Sequence, residues 1–210
     1  MKISELFTSI QGEGPNIGVP STFIRLAGCN LRCKWCDTKY AWSEGKNISI
    51  DKIIKYIERQ GLKHVVITGG EPLLQKEDLE ILCWELLFRY DIEIETNGTQ
   101  EPLDVPVSLY SISPKLSNSG VPAKDRKLKP FPYDNSVYKF VMSKPSDISE
   151  VLQIQKEWQI SPTKIFLMPE GATKRELQKK REWVIELCKE FGFRFSPRLQ
   201  IEYWGRKRGV

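Results

Sequence analysis

The 210-residue chain contains one histidine and only three methionines. A single imidazole excludes any metal or catalytic site built from several histidines of one chain. No apolar run approaches the roughly 18 residues of a transmembrane helix. The opening Met1-Lys2-Ile3-Ser4-Glu5 lacks the basic-then-apolar order of a secretory signal. Neither an internal repeat nor a low-complexity tract is visible. Five cysteines are too few to make a disulfide framework for a chain this long. A domain of this size buries roughly 70% of the surface its unfolded chain exposes, so it needs no such staples. The expectations are a single domain over 1–210 and a reducing, cytoplasmic setting. Lys and Arg number 32 against 27 Asp and Glu, a net charge of +5. Spread among so many acidic neighbours, that excess is a weak argument for a nucleic-acid partner.

What is present is an alternation of short β-rich runs and longer amphipathic patterns, which predicts an α/β domain with parallel strands. Strands are expected at Thr22–Ala27, His64–Thr68, Asp91–Thr96, Val107–Ile112, Val137–Met142, Ile165–Met168 and Arg198–Tyr203. Ile50, Ile53, Ile54 and Ile57 recur at helical spacing between Ser49 as N-cap and Gly61 as stop. Leu79, Leu82, Cys83 and Leu86 mark a second helix, Ile148–Trp158 a third. A fourth carries Leu177, Val184, Leu187, Cys188 and Phe191, with Thr173 and Glu176 as a capping box. Residues 116–135, rich in proline and charge without a periodic apolar face, read as a long surface excursion. Polar and glycine-rich tripeptides close the strands: Gly69-Gly70-Glu71, Asn97-Gly98-Thr99, Ser113-Pro114-Lys115, Pro169-Glu170-Gly171. The carboxyl ends of parallel strands are where ligands bind, so these tripeptides locate the active face.

The cysteines divide into three and two. Cys29, Cys33 and Cys36 form a C-x3-C-x2-C loop interleaved with polar residues, whereas Cys83 and Cys188 lie on apolar helix faces as small buried hydrophobes. Three clustered thiolates suit several centres. Structural zinc needs four closed ligands, and the nearby fourth donors are Asp37 and His64. A four-iron cluster with three protein ligands leaves one iron open to an external ligand.

This loop, with Trp35 before its last cysteine and Gly69-Gly70-Glu71-Pro72 one strand and one helix later, resembles the radical S-adenosylmethionine (SAM) superfamily. Further segments narrow the likeness. Phe7 to Pro15 with its Gln11-Gly12-Glu13-Gly14 core, Phe23 to Asn30, Cys36-Asp37-Thr38, Thr68, Glu95 to Thr99 and Ser113-Pro114-Lys115 together resemble the 7-carboxy-7-deazaguanine synthase family of 7-deazapurine (queuosine and archaeosine) biosynthesis. The resemblance implies a shortened, irregular partial barrel of parallel strands with reduced helix content. It also implies a lyase that converts 6-carboxy-5,6,7,8-tetrahydropterin to 7-carboxy-7-deazaguanine with loss of ammonia.

The implied cofactors are a [4Fe–4S] cluster on Cys29, Cys33 and Cys36, SAM, and Mg2+ on Thr38, whose hydroxyl is the oxygen donor such a hard ion takes. Trp35, Cys36, Asp37, Gly69, Gly70, Glu71, Ser113, Pro114 and Lys115, with Met168, Pro169, Glu170 and Gly171, match SAM-contacting positions, and Asn97, at a neighbouring strand end, is a further SAM-binding candidate for its ribose or carboxylate. Glycines 69 and 70 would let backbone approach the cofactor. Glu71 would face its ammonium or hold the loop by hydrogen bonds. Gln11, Gly12, Glu13 and Thr68 match the pterin site, and Arg25 the partner of the substrate carboxylate, a role suited to a planar guanidinium fork. The implied partners are the pterin, a one-electron donor such as flavodoxin or ferredoxin, and a second copy in a homodimer, with neither nucleic acid nor membrane.

Two rivals stand beside that reading. A glycyl-radical-enzyme activase shares the cluster but has no use for Gln11, Glu13 and Arg25. An electron-transfer iron–sulfur or zinc module would need a fourth protein ligand. His64 reads as a strand-edge residue, and the basic stretches Lys124–Lys129 and Arg206–Arg208 as solvated surface, with a tail that closes over the substrate as the alternative for the second.

Overall fold

A computed structural model describes all 210 residues. One nine-stranded sheet runs through it in the order β3-β1-β2-β4-β5-β6-β7-β8-β9. Its strands are β1 (Lys2–Ile10), β2 (Pro20–Leu26), β3 (Lys46–Asn47), β4 (His64–Gly69), β5 (Asp91–Thr96), β6 (Leu109–Ile112), β7 (Ser136–Met142), β8 (Ile165–Pro169) and β9 (Arg194–Phe195). From β2 to β9 every pairing is parallel and follows chain order. β1 and β3 extend the β2 edge in antiparallel fashion. The result is an open, singly wound partial barrel, as the resemblance implies.

Helices α1 (Ile50–Gln60), α2 (Lys76–Leu86), α3 (Ile148–Glu157) and α4 (Lys174–Phe191) cover the outer face. α1 ends at Gly61 in the left-handed conformation, φ 69°, where a side chain would be strained. At the start of α4, Thr173 accepts a hydrogen bond from the Glu176 amide, while the Glu176 carboxylate takes the amide of Ala172 rather than that of Thr173. Under these helices lies one continuous core, including Ile24, Ile67, Ile94, Ile112, Phe140 and Leu167 from alternate strand positions. Cys83 and Cys188 belong to it. Burial pushes their thiols up to about 12 and about 11, so both stay protonated. No helix is long and apolar enough to cross a membrane.

Four expectations change. The strand expected over Arg198–Tyr203 is instead α5, a short helix over Leu199–Trp204, and the last strand lies earlier, at β9. Leu199, Ile201 and Tyr203 alternate like a strand, but over six residues such a pattern is ambiguous, and of the three only Ile201 is buried. Strand β1 lay outside the expected set, because its polar Lys2, Ser4, Thr8 and Ser9 mask the period. The β5-to-β6 and β6-to-β7 crossovers carry no α-helix. Residues 116–135 are more than a surface excursion: Leu116, Asn118, Ser119 and Val121 are buried, and Phe131 packs edge-on against Tyr110 at 5.1 Å. This segment covers the sheet where a helix is missing. Finally, His64 is not at an edge. It opens the internal strand β4, buried, with Nδ1 2.7 Å from Ser21 Oγ and Nε2 3.3 Å from Glu93.

Candidate active site

The inner face of the sheet bounds a cavity of about 640 Å³. It is lined by side chains one position away from the outer core: Phe23 and Arg25 of β2, Thr68 of β4, Glu95 of β5, Ser111 of β6, Lys139 and Val141 of β7, and Met168 of β8. Because successive residues of a strand point to opposite faces, the sequence that builds the core also delivers these groups to the cavity. The loops after the strands close its upper rim.

One of these loops carries Cys29, Cys33 and Cys36, all free thiols and all lining the cavity. The backbone holds it at several points. Gly28 N donates to Ala41 O at 2.8 Å, Cys36 N to Cys33 O at 3.1 Å, and Lys34 N to Ser119 O at 3.0 Å. Trp35 Nε1 donates to Asn118 Oδ1 at 3.1 Å, so the 116–121 segment buttresses the loop. Cys33 packs with Leu31 and Val121, and burial raises its thiol.

The Gly69–Gly70 turn is pressed against the root of this loop. A Cβ on Gly70 would stand 2.1 Å from Gly28 O and 2.7 Å from Cys29 Cβ, and one on Gly69 2.2 Å from Leu26 O. Here the glycines admit the cysteine loop's own backbone while their open side lines the cavity.

Glu71 is wholly buried and outside the cavity wall. Its carboxylate accepts from Leu73 N at 3.1 Å, Thr96 Oγ1 at 2.8 Å and Asn97 N at 2.7 Å. Of its two expected roles, the geometry is that of holding the loop. Burial raises its carboxyl against those hydrogen bonds. Asn97 in turn ties the next strand end to the cysteine loop, donating to Asn30 Oδ1 at 2.9 Å.

Ser113 and Lys115 line the cavity while Pro114 between them does not. Lys115 Nζ lies 2.7 Å from both Ser113 O and Oγ and 5.7 Å from the centre of the Trp35 ring. Of Met168 to Gly171, only Met168 reaches the cavity. Pro169 is buried, Glu170 pairs with Lys180, and the Gly171 carbonyl accepts from Arg198. Thr38 lines the rim with its Oγ1 3.6 Å from Cys36 Sγ.

Deeper in, the inner face is charged. Lys139, 5% exposed, donates to Glu13 at 2.6 Å and Glu95 at 3.2 Å. Glu13 also accepts from Arg198 Nε at 3.1 Å and Gln200 Nε2 at 2.6 Å. Burial alone would raise the Glu13 carboxyl, but the Lys139 and Arg198 charges prevail and hold it down at about 2. Lys139 and Arg198 are pushed up in return: burial opposes their charges, and the facing carboxylates outweigh it. Arg198 further pairs with Asp37, so it joins the Gln11–Glu13 loop to the cysteine loop. Gln11 Nε2 faces Glu93 at 3.2 Å and Glu95 at 3.4 Å.

Arg25 uses Nε on Glu5 at 2.9 Å and lays its guanidinium 5.6 Å from the centre of the Phe7 ring. Its two terminal nitrogens have no protein acceptor. Residues 205–210 also line this cavity, among them Arg206–Arg208, which are exposed as expected yet lie over its mouth. Sequence reasoning missed Lys139, Glu93, Glu95, Arg198 and Gln200. A lysine in the otherwise apolar run Val137–Met142 was the available signal.

The donors present fit the implied groups. Three unpaired thiols share one loop and one cavity, as a cluster with an open iron requires. The fourth zinc ligand has no source, since Asp37 is taken by Arg198 and His64 sits at the far end of β4. Ser111 and Gln200 line the cavity, and Ser111 Oγ and Gln200 Oε1 are buried without a partner.

Comparisons with known proteins agree. Residues 23–106 match the radical SAM superfamily. The chain is 40% identical to the 7-carboxy-7-deazaguanine synthase of Pyrobaculum aerophilum, over all of this chain and 97% of that one. It is 36% identical to the Halobacterium salinarum enzyme, over 97% of this chain and 90% of that one. The crystal structure of QueE from Escherichia coli superposes with a TM-score of 0.76 at 28% identity, covering 93% and 92% of the two chains. With these likenesses spanning nearly its whole length, the chain belongs to the 7-carboxy-7-deazaguanine synthase family of radical SAM lyases.

Proposed function

We propose that this cavity is where the chain turns 6-carboxy-5,6,7,8-tetrahydropterin into 7-carboxy-7-deazaguanine with release of ammonia, residues 1–210 acting as one domain. The observation that carries the assignment is the meeting, on one inner face, of three free thiols at the rim with Arg25, Gln11 and the Glu13–Lys139–Glu95 cluster below. An activase acting on a protein has no use for a charged floor of this kind.

Cys29, Cys33 and Cys36 would hold the [4Fe–4S] cluster, with SAM against Trp35, Asp37, Gly69, Gly70, Asn97, Ser113 and Lys115, and Thr38 on Mg2+. When bound, cluster and SAM supply the one-electron chemistry that opens the reaction, and Mg2+ orients substrate oxygen. The protein's own work is positional. The free edge of Arg25 matches the two oxygens of the substrate carboxylate. The amide of Gln11 and the carboxylates of Glu13 and Glu95 offer acceptors and a donor to the guanine-like ring edge. Thr68 and Ser111 add hydroxyls between them. Lys139 and Arg198 keep Glu13 ionised, so it accepts hydrogen bonds at neutral pH. Near neutrality no side chain here has to act as a strong base, in keeping with one histidine remote from the cavity.

A flavodoxin or ferredoxin as electron source, a cytoplasmic homodimer as working form, and independence from nucleic acid and membranes complete the proposal. The test is anaerobic incubation of cluster-loaded protein with reductant, SAM, Mg2+ and the carboxytetrahydropterin. Formation of the deazapurine is expected, as is a higher pterin requirement in Arg25→Ala with unchanged cluster absorbance. SAM cleavage without deazapurine would overturn the substrate assignment.

A further inference from the structure

Glu5 lies outside every segment singled out by motif, yet three parts of the rim meet on its carboxylate. Strand β1 places it directly across from Arg25 in the antiparallel pair, just past a register shift between Ile3 and Glu5. One oxygen accepts from Arg25 Nε at 2.9 Å and Tyr40 Oη at 2.8 Å. The other accepts from Arg208 Nε at 3.0 Å. Arg208 also lies over the Tyr40 ring, 3.6 Å from its centre, and reaches Glu44 at 3.4 Å. The C-terminal segment is thereby strapped across the cavity mouth.

We propose that Glu5 is a positioning residue that holds the Arg25 fork toward the substrate carboxylate and makes its grip depend on the C-terminal segment lying closed. The proposal rests on the assignment of Arg25 to that carboxylate. With Nε on Glu5 and one face toward Phe7, the guanidinium is turned so that only its free edge faces the cavity. Charge supplies the coupling. Arg25 and Glu5 alone are a neutral pair, a poor receptor for an anion. Arg208 adds a second cation on the same carboxylate, and its other partner, Glu44, is 63% exposed and screened by solvent, so the closed cavity mouth is more positive than the Arg25–Glu5 pair alone. Arg208 is 48% exposed against 13% for Glu5, so its contact is the weak, releasable one. By reciprocity, a bound carboxylate must favour closure.

The experiment measures pterin affinity of the cluster-loaded protein together with trypsin cleavage at Arg206 and Lys207. Arg208→Ala should weaken pterin binding about tenfold, the scale of one charge-assisted contact, with cluster absorbance and SAM affinity unchanged. Arg208→Lys should recover part of the loss. In the Glu5→Gln background, Arg208→Ala should bring no further loss, because the carboxylate through which Arg208 acts is gone. Pterin should slow trypsin cleavage of the unaltered tail and leave that of the Glu5→Gln protein unprotected. Wild-type affinity in Arg208→Ala, or multiplicative losses in the double variant, would overturn the coupling. Should Glu5→Gln not fold, the Arg208 pair decides alone. Unchanged affinity in Arg25→Ala would instead remove the carboxylate assignment beneath it.

Discussion

Neighbouring residues of the same strands live in opposite chemistry. Ile24 of β2, Ile67 of β4, Ile94 of β5 and Phe140 of β7 are fully buried on the helix-covered face. One position along, Arg25, Thr68, Glu95 and Lys139 line the cavity. The outer face is held by contact area, which is insensitive to the identity of any one apolar group so long as volume is kept. The inner face is held by mutual charge compensation. Glu13, Glu95, Lys139, Arg198 and Asp37 each need a particular partner, and removing one strands another in a poorly solvated place. The outer face makes the fold stable, and the inner face spends part of that stability on a fixed arrangement of donors and acceptors.

The sharpest way to break this contrast uses the cysteines. Replacing Cys29, Cys33 or Cys36 by Ala should abolish cluster absorbance and SAM cleavage, since each would ligate iron. Cys83→Ala, on the outer face, should keep both and show only a lowered melting temperature. Cluster loss in Cys83→Ala would contradict the division of the five.

Next come two substitutions at adjacent positions of β7. Phe140→Ala should cost about 3–5 kcal/mol of stability, the usual toll of a large core truncation, and leave pterin affinity unchanged. Lys139→Met should cost about 3 kcal/mol or more by leaving Glu95 without a cation and Glu13 with Arg198 as its remaining one, and should remove product formation as well. Adding Glu95→Gln to Lys139→Met should restore part of the stability and none of the activity. If stability and activity returned together, the inner cluster would be scaffolding rather than site.

The last effect is a pH slope. Glu13 titrates at about 2 in the folded chain against an ordinary 4.5, so the folded state holds its proton less tightly than the unfolded one. The stability this provides is complete above pH 4.5 and is lost as pH falls toward 2. Glu13→Gln should flatten that stretch of the denaturation profile, whereas outer-face variants should keep its slope.

How legible these features were in the sequence follows the same division. Long periodic stretches such as Ile50–Gln60 and buried runs such as His64–Thr68 announce themselves, because helix and strand periods differ and the core demands apolar residues at each. The cysteine loop and the Gly69–Gly70 turn were legible because their chemistry requires particular residue types at short spacing. Strand β1, half-buried at the antiparallel edge, has no such pattern. Helix α5 was too short for its period to show. Lys139 and Glu95 could be noticed as charges in strands, but Lys139 meets Glu13 across 126 residues of chain and Glu95 across 44.

The sequence by itself determined the α/β alternation, the separation of three thiols from two, and the family, since each depends on residue type at close spacing along the chain. Only the tertiary structure decided that Glu71 locks a loop, that Arg198 joins Glu13 to Asp37, and that Arg208 returns to Glu5 from 203 residues away. Hydrogen bonds and charge act through space over a few ångströms. Which distant residues come that close is set by how the sheet curls and where its crossovers run.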